Sequence, residues 1–148
     1  MAEHLAVQDL LADRGEGHAL GAFVVAAAFE RGGRFCAFAL GDGSLHIAEA
    51  GTSASWQTVA AHAGVILALA PDVGPAAFIS GGDDGAVRRT TAQGMAQDIA
   101  RFGSRWVEHV ATHPGEKGAG LVAAAVGRQV HLFDAAGNTL KTLEHPST

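Results

Sequence analysis

There is no tyrosine in this chain of 148 residues, one cysteine, four prolines and only 17% charged residues. Each shortage excludes something. A single thiol, Cys36, cannot form an intramolecular disulfide or supply a cysteine-based zinc cluster. Low charge with 48% hydrophobic content is the opposite of a disordered composition. Lysine and arginine number 10 against 15 acids, a net charge of −5, so a broad basic footprint for nucleic acid is missing. No apolar run is long enough to cross a bilayer, and the opening MAEHLAVQDLLADRGEG carries early acids where a secretion signal would be apolar. By elimination the expected location is cytoplasmic, with neither membrane nor nucleic acid as partner.

What the chain has in quantity is glycine, 20 residues, set between short apolar runs. The length suits one domain with a real core. Strands are expected at Phe23–Phe29, Arg34–Leu40, Ser44–Ala50, Trp56–Ala61, Val65–Ala70 and Ala76–Ser80. The series continues at Ala86–Ala92, Trp106–Thr112, Gly120–Val126, Gln129–Ala135 and Thr139–Glu144. Gly, Asp, Asn or Pro turns separate them. Two segments have the alanine content of short helices, Leu5–Ala12 and Ala92–Phe102. The fold class is all-β.

The turns repeat. GDGSLHIAEAG (Gly41–Gly51) aligns with DDGAVRRTTAQG (Asp83–Gly94) and with VGRQVHLFDAAG (Val126–Gly137). Their glycines Gly43, Gly85 and Gly127 stand 42 residues apart. The inner apolar strands, near Val24, Val65 and Val107, keep almost the same period. So do the joints before them, GHALG, AHAGV and, more weakly, RFGSR, with EHPS as a fourth. A period of this size holds four short strands. One such sheet cannot bury its faces alone. Stacking sheets around an axis does so, which is the propeller solution.

The segment HAGVILALAPDVGPAAFISGGDDGAVRRTTAQG (His62–Gly94) resembles a WD-repeat blade. It has a histidine-containing joint, an apolar inner strand, a hairpin and a following strand. The resemblance extends from about Gly17 onward and implies four-stranded antiparallel blades at about 17–61, 62–103 and 104–148. Residues 1–16 would be an N-terminal segment able to supply a ring-closing outer strand. The resemblance also implies structural roles for the joint histidines His18 and His62 and for the turn glycines. The family's closing Trp-Asp pair falls at Ala48-Glu49, Thr90-Thr91 and Phe133-Asp134. Phe133 and Asp134 are therefore expected to keep part of the family's hydrogen-bond network in the third unit. Propellers have about four to eight blades. Three blades make an incomplete ring, the N-terminal part of a longer propeller or an open arc completed by another chain. Self-association through uncovered blade edges is the expected consequence.

Each candidate residue also has an ordinary structural role. Asp83 and Asp84 lie in a Gly-rich loop, but the twelfth position from Asp83 is Gly94, where a calcium loop needs glutamate. No Gly-Lys-Ser/Thr follows, so a phosphate loop is also excluded, and a hairpin turn remains. His109 and His113 are four apart in a strand region, the wrong period for a shared metal. His46, Arg88 and His131 are equivalent repeat positions and read as solvated strand residues. Arg88, Arg89, Arg101 and Arg105 form a local basic group along the sequence. Trp56 and Trp106 suit packing or an interface anchor. Cys36 sits in an apolar strand, and no activated nucleophile is apparent.

These readings predict a non-catalytic scaffold or protein-interaction module, with protein or peptide partners and no cofactor or metal. The contact residues expected are Asp83, Asp84, Arg88, Arg89 and Trp106. The rival is a propeller hydrolase of the lactonase or esterase kind, with a metal in the central channel. It would use polar residues at the inner strand ends, Glu30, Asp72 and His113.

Overall fold

A computed structural model of the chain describes residues 15–51 and 55–146. The Leu5–Ala12 helix and nearly all of the 1–16 segment lie outside the described residues. Twelve strands and no helix occupy the rest. The first sheet holds β1 (Val24–Phe29), β2 (Phe35–Leu40), β3 (Ser44–Glu49) and β4 (Trp56–Ala60). The second holds β5 (Ile66–Pro71), β6 (Ala77–Gly82), β7 (Ala86–Thr91) and β8 (Ala96–Arg101). The third holds β9 (His109–His113), β10 (Leu121–Val126), β11 (Gln129–Asp134) and β12 (Thr139–Glu144). Each is a simple antiparallel meander with its strands in sequence order.

Two expectations need correction. Ala92–Phe102 is no helix: its second half is β8, paired antiparallel with β7. Three alanines among these residues shift helix propensity by tenths of a kcal/mol each. Pairing with β7 and packing of Ile99 and Ala100 against the core outweigh that. Trp106 is not in a strand, because β9 begins only at His109.

The strands stack because alternate residues point to opposite faces. Ala37, Ala39, Leu45, Ile47 and Val59 of the first sheet meet Ile66 and Phe78 of the second. Ile79 and Val87, on the other face of the second sheet, meet Val122, Ala124, Val126 and Phe133 of the third. Phe78 and Ile79 are neighbours in β6 yet serve different cores, so every residue of β6 is buried. Full burial of a side chain such as Phe78 is worth roughly 1.5–3 kcal/mol. Among the described residues no core joins the first sheet to the third. The first strands β1, β5 and β9 lie side by side. The architecture is an open arc of three propeller blades.

The repeat glycines earn their places by close approach. Gly43 and Gly85 have φ of +86° and +76°. A Cβ on Gly43 would lie 2.3 Å from the Gly64 carbonyl, and one on Gly85 2.1 Å from that of Gly103. Each turn thus presses on the joint that follows its sheet. There Gly43 O accepts the His62 N–H, and Gly85 O accepts the Phe102 N–H. In the third sheet the turn is one residue shorter, since Val126 pairs with Gln129 across Gly127 and Arg128. Arg128, not Gly127, then supplies the accepting carbonyl, to the His145 N–H.

Polar stitches cross the sheets at the other end of the inner strands. Glu30 follows β1 and is 3% exposed. Its carboxylate accepts the N–H groups of Gly32, Arg34 and Phe35 and, from the second sheet, Ala76. Ala76 has a φ of +56°, a conformation alanine rarely adopts, and this bond helps hold it. Arg31 donates to Asp72 O and to both oxygens of Thr112, spanning from the first sheet to the third. Asp72, buried after β5, pairs with Arg89, which also reaches Ala135 O in the third sheet.

Burial alone would raise the Glu30 pKa, but the four backbone donors win and hold it at about 2, against an ordinary 4.5. The folded value lies below the unfolded one. Its stabilisation is therefore complete above about pH 4.5 and is lost as the pH falls towards 2. Glu30→Gln should lower unfolding stability at pH 7 by about 2 kcal/mol. It should also flatten the loss of stability between pH 5 and pH 2. Urea midpoints across that range, for the wild type and the variant, measure both effects.

Candidate functional site

The hairpin FISGGDDGAVRR (Phe78–Arg89) forms the centre of the second sheet and its turn. His62, on the joint leading into that sheet, has a fully buried ring. Its Nδ1 lies 2.9 Å from Asp84 Oδ1 and its Nε2 2.8 Å from Ser80 Oγ. An ionised carboxylate only accepts, so Nδ1–H donates to Asp84 and, in the neutral ring, Nε2 accepts the Ser80 hydroxyl. Asp84 also accepts the N–H groups of Ala63 and Ala86. Burial pushes its pKa up, while His62 and those backbone donors pull it further down, leaving it below the ordinary carboxylate value.

The bonded network therefore sits in the second sheet, where sequence placed a degenerate closing pair. Phe133 and Asp134, expected to carry part of it in the third, do other work. Phe133 is packed in the second core. Asp134 accepts the backbone N–H and the side-chain amide of Asn138 at the β11–β12 turn. A phenyl ring has no donor to offer such a network. His18 stacks flat on Trp56, centroids 3.9 Å apart, and Trp56 in turn packs on Phe38.

The four arginines do not form one patch. Arg88 and Arg89 are strand neighbours and point to opposite faces. Arg88 and Arg101 share Asp98, and Arg89 is committed to Asp72. Burial raises the Asp98 pKa, but the arginine bonds, Arg101 first, bring it below its usual value. Arg105 lies over the Phe102 ring and bonds Gln129. Burial, together with Arg105, lowers the His131 pKa. Of the residues expected at a contact surface, Asp84, Arg88 and Arg89 thus have partners inside the chain. Asp83 is half-buried in the turn, its carboxylate against Gly64.

Trp106 is different. It is 57% exposed, on the segment that leads into β9. The next residue, Val107, is fully buried and donates its N–H to Gly82 O, which fixes Trp106 beside the β6–β7 turn. Phe23, just before β1, is 68% exposed and lies against Gly41 of the β2–β3 turn. Two exposed aromatics therefore stand at the turn end of the arc, each on a leader into an inner strand. Phe23 reads from sequence as an ordinary strand residue. Only the open edge of the first sheet reveals it.

At the opposite end, Glu30, Asp72 and His113 do stand where the inner strands finish. Glu30 and Asp72 are saturated by backbone N–H groups and Arg89. His113 Nδ1 accepts the Gly115 N–H at 3.0 Å. Among the described residues no group of three or more His, Cys, Asp or Glu side chains is arranged to hold a metal ion, and no helix is long and apolar enough to cross a membrane.

Thr90 occupies the position of the closing aromatic in the second sheet. Its Oγ1 is buried and has no hydrogen-bond partner. Valine has the same shape without the hydroxyl and suits a strand. Thr90→Val should raise stability by about 1 kcal/mol, while His62→Ala should lower it by about 2–3 kcal/mol by leaving the buried Ser80 hydroxyl without its ring partner and taking one of three donors from Asp84. Chemical denaturation of both variants tests the pair, and a destabilised Thr90→Val would show that the hydroxyl is bonded after all.

No family model matches this sequence, and no curated protein does. Solved structures do match it. One is a chain in a crystal structure of a mitotic checkpoint complex, 21% identical, with a TM-score of 0.67 over 82% of this chain. The matched part is 39% of that chain, so the present sequence spans about two-fifths of its length. At that identity the likeness establishes the fold, a partial β-propeller, and nothing finer.

Proposed function

We propose that this chain is a non-catalytic protein-interaction module of WD-repeat type, binding a protein or peptide at the turn end of the arc. The observation that carries the reading is Trp106. It is a large aromatic held in the open by a buried anchor residue on a rigid stack. Exposed tryptophans on fixed supports are the usual anchors of protein interfaces. Asp83 stands on the neighbouring β6–β7 turn, and Arg105, held over Phe102 and bonded to Gln129, precedes Trp106 in the chain, so charged groups border the ring. The repeat likeness and the neighbour from a mitotic checkpoint complex support the same class of function by analogy of fold. The non-catalytic reading is supported by Glu30 and Asp72, two of the three residues a hydrolase of this shape would use, whose carboxylates bond backbone N–H groups and Arg89.

Trp106→Ala should leave the unfolding midpoint within experimental error, since the ring is mostly exposed. It should reduce recovery of specific partners in a pull-down at least tenfold relative to wild type. Undiminished recovery, or ester or lactone hydrolysis by the pure protein, would remove the proposal.

A further inference from the structure

Each internal junction joins the forward face of one sheet to the back face of the next. The first sheet's forward face is built from Ala37, Ala39, Leu45, Ile47 and Val59, all buried under the second sheet. Register defines the pattern: Ala37 is opposite Ile47, and Leu45 lies between Ala39 and Val59. The third sheet repeats it. Ala123 is opposite Leu132, and Val130 lies between Ala125 and Leu143. Alternation from Val122 and Ala124, which face the second sheet, turns this set outward. Alanine thus matches alanine at two positions, and aliphatic matches aliphatic at three. In the first sheet these five residues are buried. In the third, Val130 and Leu143 are exposed, and a shallow cavity of about 190 Å³ opens over Ala111, Ala123, Ala125 and Val130.

A second observation is independent of composition. The backbone joint that precedes the next sheet is also made: His145 N–H bonds Arg128 O, as His62 N–H bonds Gly43 O. The third sheet is therefore formed, in face and in joint, to receive a back face. Among the described residues one back face is unpaired, that of the first sheet. Its inner half presents Phe29, which is 59% exposed, with Cys36 in the adjoining strand, while towards the outer strand Phe38 packs on Trp56 under His18. In β6 the residues equivalent to Cys36 and Phe38 are Phe78 and Ser80, which fill the first junction or its network.

We propose that two copies of this chain pair head to tail, the forward face of each third sheet covered by the back face of the other's first sheet. The two new junctions are identical, so the pair is closed and two-fold symmetric. It makes a ring of six sheets, within the range of about four to eight that propellers adopt. This pairing stands apart from the partner surface around Trp106, which lies at the turn end and stays outside the junctions.

Sedimentation equilibrium of the full chain tests it. The expected mass is twice 15.0 kDa, about 30 kDa. Val130→Asp and Phe29→Asp, each at an exposed position, should separately shift the protein towards the monomer at least tenfold in dissociation constant, with unchanged far-ultraviolet circular dichroism. Mixing the two variants should restore a one-to-one pair, because one of the two junctions then contains neither substitution. A folded wild-type monomer, open-ended polymers, or a dimer indifferent to both substitutions would overturn the proposal.

Discussion

A four-stranded meander has two faces and can bury neither alone. That constraint governs this molecule. Every strand is short, so no single sheet encloses a core, and stability has to come from the junctions between sheets. The second sheet shows the condition met on both sides: β6 is buried throughout, with Phe78 serving one core and Ile79 the other. The outer sheets meet it on one side only. Their apolar remainder is a direct result of the same alternation that builds the interior.

Polar groups set how the sheets sit on one another. At one end of the inner strands, Glu30, Arg31, Asp72 and Arg89 connect neighbouring turns through backbone carbonyls and N–H groups. At the other end, turn carbonyls grip the joints, with glycine at Gly43 and Gly85 because a side chain would meet the backbone of the next segment. Function belongs to what these devices leave over. Side chains spent on holding the stack, including most of the charged ones in the second hairpin, are not free to bind. Trp106 is left free by the rigidity of its neighbour Val107.

The sequence shows the architecture better than the site. A turn glycine at a constant period is a covalent record of a repeating sheet, so Gly43 and Gly85 declare the blades, and the strand alternation follows. The exception is β8, where alanines and an exposed outer position give a weak signal in either direction. The candidate site is less legible. That Arg88 and Arg89 serve different partners follows from alternation, but which partners depends on sheets brought together from elsewhere in the chain. Glu30 reads as an ordinary acid after a strand. Its role depends on Ala76, 46 residues away, turning its N–H inward. The His62 network is legible only in part: the joint histidine points to it, but Thr90 breaks the expected closing pair while Ser80 and Asp84 complete the bonds.

Arg31 has one more consequence. Its guanidinium begins in the first sheet, touches the second and ends on the third. It is a chord drawn across the arc. A chord of fixed length across a fixed number of sheets defines a radius. Opening the arc would have to stretch or break that chord, so one side chain resists a change of curvature alongside the packing of the faces.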